Sequence, residues 1–254
     1  METFVTHARE SDRKMKAMIT GLNGTVAPAI DHTIKEAGHD VIGWNRAIVS
    51  TDNLGTIRQF LQQEQPDWFF HVATGSPDWA AWTAQVCAEE GVKFLFTSSV
   101  SVFSAKQTGP FTVDIVPEPD DDYGRYKFEC EQRIQKANPK AIIARLGWQI
   151  GTTVGGNHMF DYLSRTFATE RQITASTKWF PACSFLPDTA VSLTQLMAQD
   201  FSAGIYHLDG NPGLPFYEIV VGLQQMHHMS WHINPHKHTS KTTARATNGF
   251  KLSK

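Results

Sequence analysis

Short apolar segments typical of buried strands alternate with segments of helical periodicity through residues 17–146. Strands are predicted at Ala17–Thr20, Val41–Trp44, Pro66–Ala73, Val92–Phe96 and Ala141–Leu146. Helices are predicted around Ile30 to Ala37, at Leu54–Gln63 and at Trp79–Glu90. Because parallel strands need crossover connections, which are usually helices, this alternation predicts an α/β fold with a doubly wound parallel sheet.

The composition is that of an ordinary globular protein, with 41% hydrophobic and 19% charged residues in a chain of 254. The net charge of −2 argues against a surface that binds nucleic-acid phosphates. The three cysteines form no CxxC pair and are typical of reduced, buried thiols in a cytosolic protein. No apolar run reaches the ~20 residues of a membrane helix. Residues 1–14 are polar, so we expect a loose N-terminal extension rather than a signal peptide, and a cytoplasmic location.

The first predicted strand runs into a glycine turn followed by a helix. Gly21 permits a tight turn, and Gly24 lets backbone N–H groups approach a pyrophosphate at the helix N-terminus. Asn23, Thr25 and Val26 lie in the same turn and are expected to contact the same ligand. A plain strand-to-helix turn is the alternative, but the strand–helix–strand context favours a dinucleotide site.

The end of the second predicted strand indicates which dinucleotide is bound. An NAD site places a carboxylate there to bind the ribose hydroxyls. The chain instead has Asn45 and Arg46, which suit a 2′-phosphate, so NADP(H) is favoured over NAD(H). The alternative is an arginine that merely lies on the surface.

The third and fourth predicted strands both end in small polar residues. Ala73 and Thr74 end the third strand, where open α/β sheets bind ligands, and Ser76 follows in the turn. The fourth strand is followed by Thr97-Ser98-Ser99, whose hydroxyls could hold a carbonyl group. A serine-rich strand exit without function is an equal alternative at this point.

Tyr123 and Lys127 are four residues apart at the start of a predicted helix and therefore lie on one face. A neighbouring ammonium favours the phenolate, so we expect Lys127 to lower the pKa of Tyr123 and make it a proton donor. Tyr-x-x-x-Lys also occurs by chance in many helices, as an aromatic residue beside a snorkelling lysine.

Several motifs together resemble one known family. They are Thr20-Gly21-x-x-Gly24-x-x-Ala27, Pro66-Asp67, Thr97-Ser98-Ser99-x-x-Val102-Phe103, Tyr123-Gly124-Arg125-Tyr126-Lys127, Arg145 with Trp148, and Gly204-Ile205-Tyr206-His207-Leu208. Through them the chain resembles the extended short-chain dehydrogenases/reductases, in particular the dTDP-4-dehydrorhamnose reductase branch of the NAD-dependent epimerase/dehydratase superfamily. The resemblance implies a Rossmann-type dinucleotide-binding domain at residues 15–150. It also implies a smaller C-terminal substrate lobe at residues 151–254, with segments that return to the sheet.

The resemblance implies an NADPH-dependent reductase of a ketosugar nucleotide. Ser99, Tyr123 and Lys127 would be catalytic, and Lys127 would also contact the cofactor ribose. Gly147 stands where the family commonly has a hydroxyl residue, so the substrate side departs from the pattern. A non-catalytic NADP-binding regulatory subunit of another enzyme, or a reductase of a small ketone or aldehyde, are the alternatives.

The substrate is expected to contact Ser76, Trp148, Asn157, Arg165 and Arg171. The two arginines are the candidates for gripping a diphosphate. If neither faces the crevice beside Tyr123, a small carbonyl compound becomes the better expectation. The chain is expected to act on a small molecule, without nucleic acid or membrane partners, and its oligomeric state stays open, a homodimer being one arrangement.

Five histidines lie close together near the C-terminus, and they are His227, His228, His232, His236 and His238. Their spacing does not converge on one point, so we interpret them as surface residues and expect no metal. Trp231 and Ile233 alternate with polar residues, which indicates a strand.

Overall fold

The computed structural model describes residues 13–107, 109–198 and 201–237, and its centre is a six-stranded parallel sheet. Numbered in chain order, its strands are β1 (Lys16–Ile19), β2 (Asp40–Gly43), β3 (Trp68–His71), β4 (Lys93–Ser99), β5 (Ile142–Leu146) and β9 (Gly204–Leu208). They are arranged in the order β2-β1-β3-β4-β5-β9, and every neighbouring pair is parallel. This sheet confirms the predicted α/β fold with a doubly wound parallel sheet.

Helices cover both faces of the sheet. The five that do so are α1 (Ala27–Glu36), α2 (Leu54–Glu64), α3 (Pro77–Glu90), α4 (Asp122–Ala137) and α6 (Leu186–Ala198). Two more helices, α5 (Met159–Glu170) and α7 (Phe216–Met226), pack against the short strands of the second half of the chain. Phe69 belongs to the core cluster beneath α2, α3 and α4, and Phe70 to the cluster beneath α1 and α6. Successive residues of β3 thus enter different cores, which explains why the strand is apolar throughout.

A second, smaller group of elements lies apart from the main sheet and is called the smaller lobe. Here β6 (Trp148–Ile150) pairs with β8 (Cys183–Phe185), and β7 (Ile173–Ser176) pairs with β10 (Ile233–His236). Their core is a separate apolar cluster with α5 and α7 that includes Met159, Phe216 and Trp231. Helix α6 packs against α1, and β9 joins the main sheet. With these two elements the chain returns from the smaller lobe to the main sheet.

The fourth strand is longer than the sequence predicts. Thr97, Ser98 and Ser99 were expected in a strand exit, but they pair with Ala144, Arg145 and Leu146 of β5 and belong to β4. Thr97 is β-branched and favours a strand, and pairing with the buried neighbouring strand extends β4 through the two serines. This places Ser99 at the last position of a central strand.

The start of α4 packs unusually closely on the turn that follows β4. A Cβ atom at Gly124 would overlap the carbonyl oxygen of Ser101, so a glycine is needed for the helix to approach this far. The Asp121 carboxylate caps the helix by accepting a hydrogen bond from the Gly124 N–H at 2.6 Å. The helix therefore begins directly beside Ser99.

Other sequence expectations can be compared with the described residues only. Cys87, Cys130 and Cys183 are buried and free. Among the helices that the structure describes, none combines the length and apolarity needed to cross a membrane. Most of the predicted N-terminal extension, residues 1–12, lies outside the described residues.

Candidate active site

A cleft of about 1090 Å³ opens at the carboxyl ends of the sheet strands and extends to the smaller lobe. Its volume is at the upper end of the range usual for small-molecule sites, so a ligand larger than a single metabolite fits. Twelve of the residues predicted from the sequence line it: Gly21, Gly24, Thr25, Val26, Arg46, Ala73, Thr74, Ser99, Tyr123, Lys127, Trp148 and Asn157.

Ser99 and Tyr123 meet inside this cleft. The Ser99 hydroxyl donates to Ser101 Oγ at 3.1 Å and accepts from the Ser101 N–H at 3.1 Å. It also hydrogen-bonds with the Tyr123 side chain. Two hydroxyl groups thus point to one place, which a carbonyl oxygen could occupy.

Lys127 is 2% exposed, which is rare for a lysine. Its Nζ donates to the Thr97 carbonyl at 2.8 Å and lies 4.6 Å from the centroid of the Phe96 ring. Burial lowers the pKa of Lys127 to about 8, against the opposing effects of Cys130 and Glu131. A buried lysine with a perturbed pKa at a cleft is a feature typical of functional sites.

The predicted effect of Lys127 on Tyr123 needs a correction. Burial raises the pKa of Tyr123, and the hydrogen bond from Ser99 only partly opposes this. The Lys127 Nζ donates to the Thr97 carbonyl and lies 5.8 Å from the centroid of the Tyr123 ring. The phenol is therefore protonated at neutral pH, which is the state a proton donor needs.

The glycine turn has the backbone geometry of a phosphate cradle. Gly21 has φ +84°, and a Cβ there would lie 3.1 Å from the Ala73 backbone. The Gly24 N–H donates to the Gly21 carbonyl at 2.8 Å, and α1 begins three residues later. A helix N-terminus behind a glycine turn binds anions, so the residues present fit a dinucleotide pyrophosphate.

Arg46 follows β2 and lines the cleft. Its guanidinium donates to the Thr74 carbonyl and lies 4.7 Å from the centroid of the Trp79 ring. Asn45 instead accepts a hydrogen bond from the Ala47 N–H at 3.0 Å, and neither Asn45 nor Asn23 lines the cleft. Of the two residues predicted to recognise a 2′-phosphate, only Arg46 is correctly placed.

The structure does not bring Arg165 and Arg171 to the cleft. Arg165 forms an ion pair with Asp161 at 2.7 Å, and its side chain is 69% exposed. Arg171 lies over the Phe167 ring, with 5.6 Å from its guanidinium carbon to the ring centroid. Both are held by partners on α5, so the expected grip of these arginines on a diphosphate has no geometric support.

The other predicted substrate contacts divide in two. Trp148 and Asn157 line the cleft, and the Asn157 N–H donates to Thr25 Oγ1 at 3.0 Å, which links the lobe to the glycine turn. Ser76 does not line the cleft, because its hydroxyl caps α3 by accepting from the Trp79 N–H at 3.1 Å.

Aromatic residues from distant parts of the chain form a wall at the end of the cleft that reaches the smaller lobe. Phe216 lies 5.9 Å from Trp148 and 4.9 Å from Trp179, and Tyr162 lies 5.4 Å from Trp148, between ring centroids. Tyr162 and Phe216 were not predicted, because no local pattern shows that α5 and α7 face β6. The sequence also gives no reason for a glycine at 147, where a Cβ would overlap the Ala182 backbone.

The interpretation of the five histidines as surface residues is wrong for His236. His236, interpreted as a surface residue, is half-buried in β10 and lines the cleft. His227 packs 4.1 Å from Phe160 between ring centroids. In the described part of the chain no three His, Cys, Asp or Glu side chains are grouped to hold a metal, and His238 lies outside the described residues.

Residues 78–248 match the family model for the RmlD substrate binding domain. The chain belongs to this family. The match confirms the resemblance drawn from the sequence and, with it, the prediction of an oxidoreductase-type enzyme of the short-chain dehydrogenase/reductase superfamily.

Individual relatives are more distant. The spore coat polysaccharide biosynthesis protein SpsK of Bacillus subtilis is 22% identical over 226 residues, covering 83% of this chain and 78% of the relative. Methionine adenosyltransferase 2 subunit beta of Xenopus laevis is 23% identical over 250 residues, covering 87% of this chain and 75% of the relative. The NADP complex of dTDP-4-dehydrorhamnose reductase from Bacillus anthracis superposes with a TM-score of 0.76 at 19% identity, covering 92% of this chain and 88% of that one.

We predict that Lys127→Met raises the free energy of unfolding at neutral pH. Burial lowers the pKa of Lys127 from 10.5 to about 8, so its charge destabilises the folded state. The penalty at neutral pH is up to roughly 3 kcal/mol. Between these two pKa values the unfolded chain binds more protons than the folded one, so wild-type stability rises with pH relative to the variant. Urea unfolding from neutral pH to above pH 10 should show the difference shrinking.

The matched control is Lys136→Met, an exposed lysine in the last turn of the same helix, which should show no such pH-dependent difference. A Lys127→Met protein that is less stable than wild type by the same amount at every pH would contradict the lowered pKa of Lys127.

Proposed function

We propose that the protein is an NADPH-dependent reductase that acts on the ketone of a sugar nucleotide. The observation that carries the proposal is the meeting of Ser99, Tyr123 and Lys127 in one cleft, between the glycine turn and the aromatic wall. The family match supports the reaction class, and the relatives support a sugar-nucleotide substrate.

The chemistry at the carbonyl follows from the hydrogen-bonding groups. Ser99 and Tyr123 hold the carbonyl oxygen by donating hydrogen bonds. When bound, the nicotinamide cofactor supplies the hydride that reaches the carbonyl carbon. Tyr123 then gives its proton to the oxygen, which yields the alcohol, and the phenolate takes a replacement proton from solvent. The charged Lys127 stabilises the negative charge that passes through Tyr123.

Gly21, Gly24, Thr25 and Val26 would hold the cofactor pyrophosphate against α1. Arg46 would bind the 2′-phosphate, with Ala73 and Thr74 beside the adenosine. Because Arg46 already lies against Trp79, little side-chain freedom remains to be lost on binding. Similar solved structures contain NADP or NAD and so support a nicotinamide cofactor, whereas the choice of NADP rests on Arg46.

At the substrate end, the aromatic wall offers stacking surfaces for a base or sugar ring. Neither arginine predicted to bind a diphosphate contributes to it, and this observation favours the second candidate substrate, a small ketone or aldehyde. The positions of the arginines meet the condition under which a small carbonyl compound was the better expectation. The sugar nucleotide nevertheless remains the first choice, because the family match extends to residue 248 and supports it independently of the arginines.

A regulatory subunit that binds NADP without reducing a substrate is the other candidate. It is favoured by the similarity to methionine adenosyltransferase 2 subunit beta over 87% of this chain. The complete Ser99, Tyr123 and Lys127 set argues against it, since cofactor binding alone does not require a proton donor beside a buried ammonium.

The first prediction here is that Tyr123→Phe abolishes turnover while NADPH still binds. The variant keeps the ring but loses the proton, and one acid–base group typically contributes ~10² to 10⁴ in rate. NADPH oxidation at 340 nm with a panel of 4-ketosugar nucleotides and small ketones measures turnover, and fluorescence titration measures binding.

The panel also separates the candidates. If NADPH is oxidised only with the small ketones, a small ketone replaces the sugar nucleotide as the proposed substrate. If NADPH binds but is not oxidised with any panel member, the regulatory subunit is favoured. A Tyr123→Phe enzyme with wild-type turnover would remove Tyr123 from its role.

The second prediction concerns the cofactor. Arg46→Ala should weaken NADPH binding by about tenfold or more, because a charge-assisted hydrogen bond contributes roughly 1.5 to 3 kcal/mol. NADH binding should change much less, since it has no 2′-phosphate. Equal losses for the two cofactors would show that Arg46 acts through the packing of Trp79 instead.

A further inference from the structure

A buried ion pair lies directly behind the catalytic groups. Arg145 of β5 donates to the carboxylate of Glu131 on α4 from Nε at 3.0 Å and from Nη2 at 2.7 Å. The Ser98 hydroxyl of β4 donates to the same carboxylate. Glu131 and Arg145 are each 1% exposed. One carboxylate thus joins three elements of the main domain.

Stability alone does not explain such a pair. Two charges taken from water lose hydration that their attraction often fails to recover, and apolar residues of similar volume are frequently as stable. A purely structural contact at this place could therefore be apolar. The location of the pair points instead to the site.

Each residue of the pair's network is one step from a catalytic residue. Glu131 follows Lys127 by four positions on α4, so both side chains lie on the same face of the helix. Ser98 immediately precedes Ser99, and the Thr97 carbonyl accepts the hydrogen bond from Lys127. The register of α4 against β4 is thus fixed at two successive points.

We propose that Glu131 is a positioning residue, which holds Lys127 and Ser99 in register through its bonds to Ser98 and Arg145. The kinetic part of this inference rests on the proposed reductase function. The negative charge of Glu131 also favours the charged form of Lys127, which burial disfavours.

The titratable and charged groups around Lys127 come from several elements. On its own helix they are Tyr123, Tyr126, Cys130 and Glu131; on β3 there is His71, and on β5 Arg145, which binds Glu131. The contact of α3 with α4 carries the Asp78–Arg133 ion pair at the exposed side. Burial lowers the pKa of His71 to about 3, so His71 does not titrate near neutral pH.

The test is Glu131→Gln, which keeps the size and the acceptor oxygen but removes the charge. We expect kcat to fall about 10- to 100-fold, as for a slight misplacement of catalytic groups. The alkaline limb of the kcat profile should move to lower pH by about one unit, because Lys127 loses a neighbouring negative charge. The matched control, Glu129→Gln on the exposed side of the same helix, should behave as wild type.

A second variant separates position from folding. Glu131→Leu combined with Arg145→Met removes both charges and leaves apolar side chains, so it should fold even if Glu131→Gln leaves Arg145 unpaired and does not. Circular dichroism and thermal unfolding check the fold. The double variant should show the same loss of kcat, whereas the shifted limb is expected of Glu131→Gln alone, because the double variant removes a positive charge together with the negative one.

The titration of Lys127 supplies a readout that does not depend on the reaction. NMR of protein with ¹³C-labelled lysine should show a lower pKa for Lys127 in Glu131→Gln, even if no substrate in the panel is reduced. A folded Glu131→Gln protein with the wild-type Lys127 titration, or either folded variant with wild-type kcat, would overturn the inference.

Discussion

The close packing of α4 on the turn after β4 is the constraint on which the rest of the site depends. It requires the absence of a side chain at Gly124, and the Asp121 cap fixes where the helix begins. With that contact in place, Tyr123 reaches Ser99, and Lys127 reaches the Thr97 carbonyl one turn further on. The same helix then places Glu131 against Ser98 and Arg145.

The buried charges of this region are held by specific partners. Lys127 has a carbonyl and three aromatic rings around its ammonium, and Arg145 has a carboxylate on one side and the Phe103 ring on the other. Such groups destabilise a core unless they are paired. Their concentration beneath one end of the cleft indicates that stability has been given up there for chemistry.

The sequence predicts the main sheet and the position of the glycine turn at the cleft, because both depend on local pattern. The order of strand, glycine turn and helix at Gly21 and Gly24 is contained in a few consecutive residues. The end of β4 was missed, since the pairing of Ser99 with Leu146 is a contact between distant segments. The pKa of Tyr123 was predicted in the wrong direction, because burial outweighs the effect expected of its neighbour.

The substrate end was predicted least well. Arg165 and Arg171 have the right chemistry for a diphosphate, but α5 pairs them with its own residues. Trp148 of β6, which was predicted to contact the substrate, does line the cleft, where it meets Trp179 of the segment after β7 and Phe216 at the start of α7. Their meeting depends on how the small lobe folds on itself, which no spacing along the chain reveals.

The central claim is that a hydride passes from the nicotinamide cofactor to a ketone of the substrate in this cleft. The most direct test is incubation with NADPH that carries deuterium at the transferable position of the nicotinamide, together with a 4-ketosugar nucleotide, followed by mass spectrometry. The expected result is an alcohol product that contains one deuterium at the former carbonyl carbon, formed in equal amount to the NADP⁺ released. A product without deuterium, or recovery of the ketone alone, would contradict it.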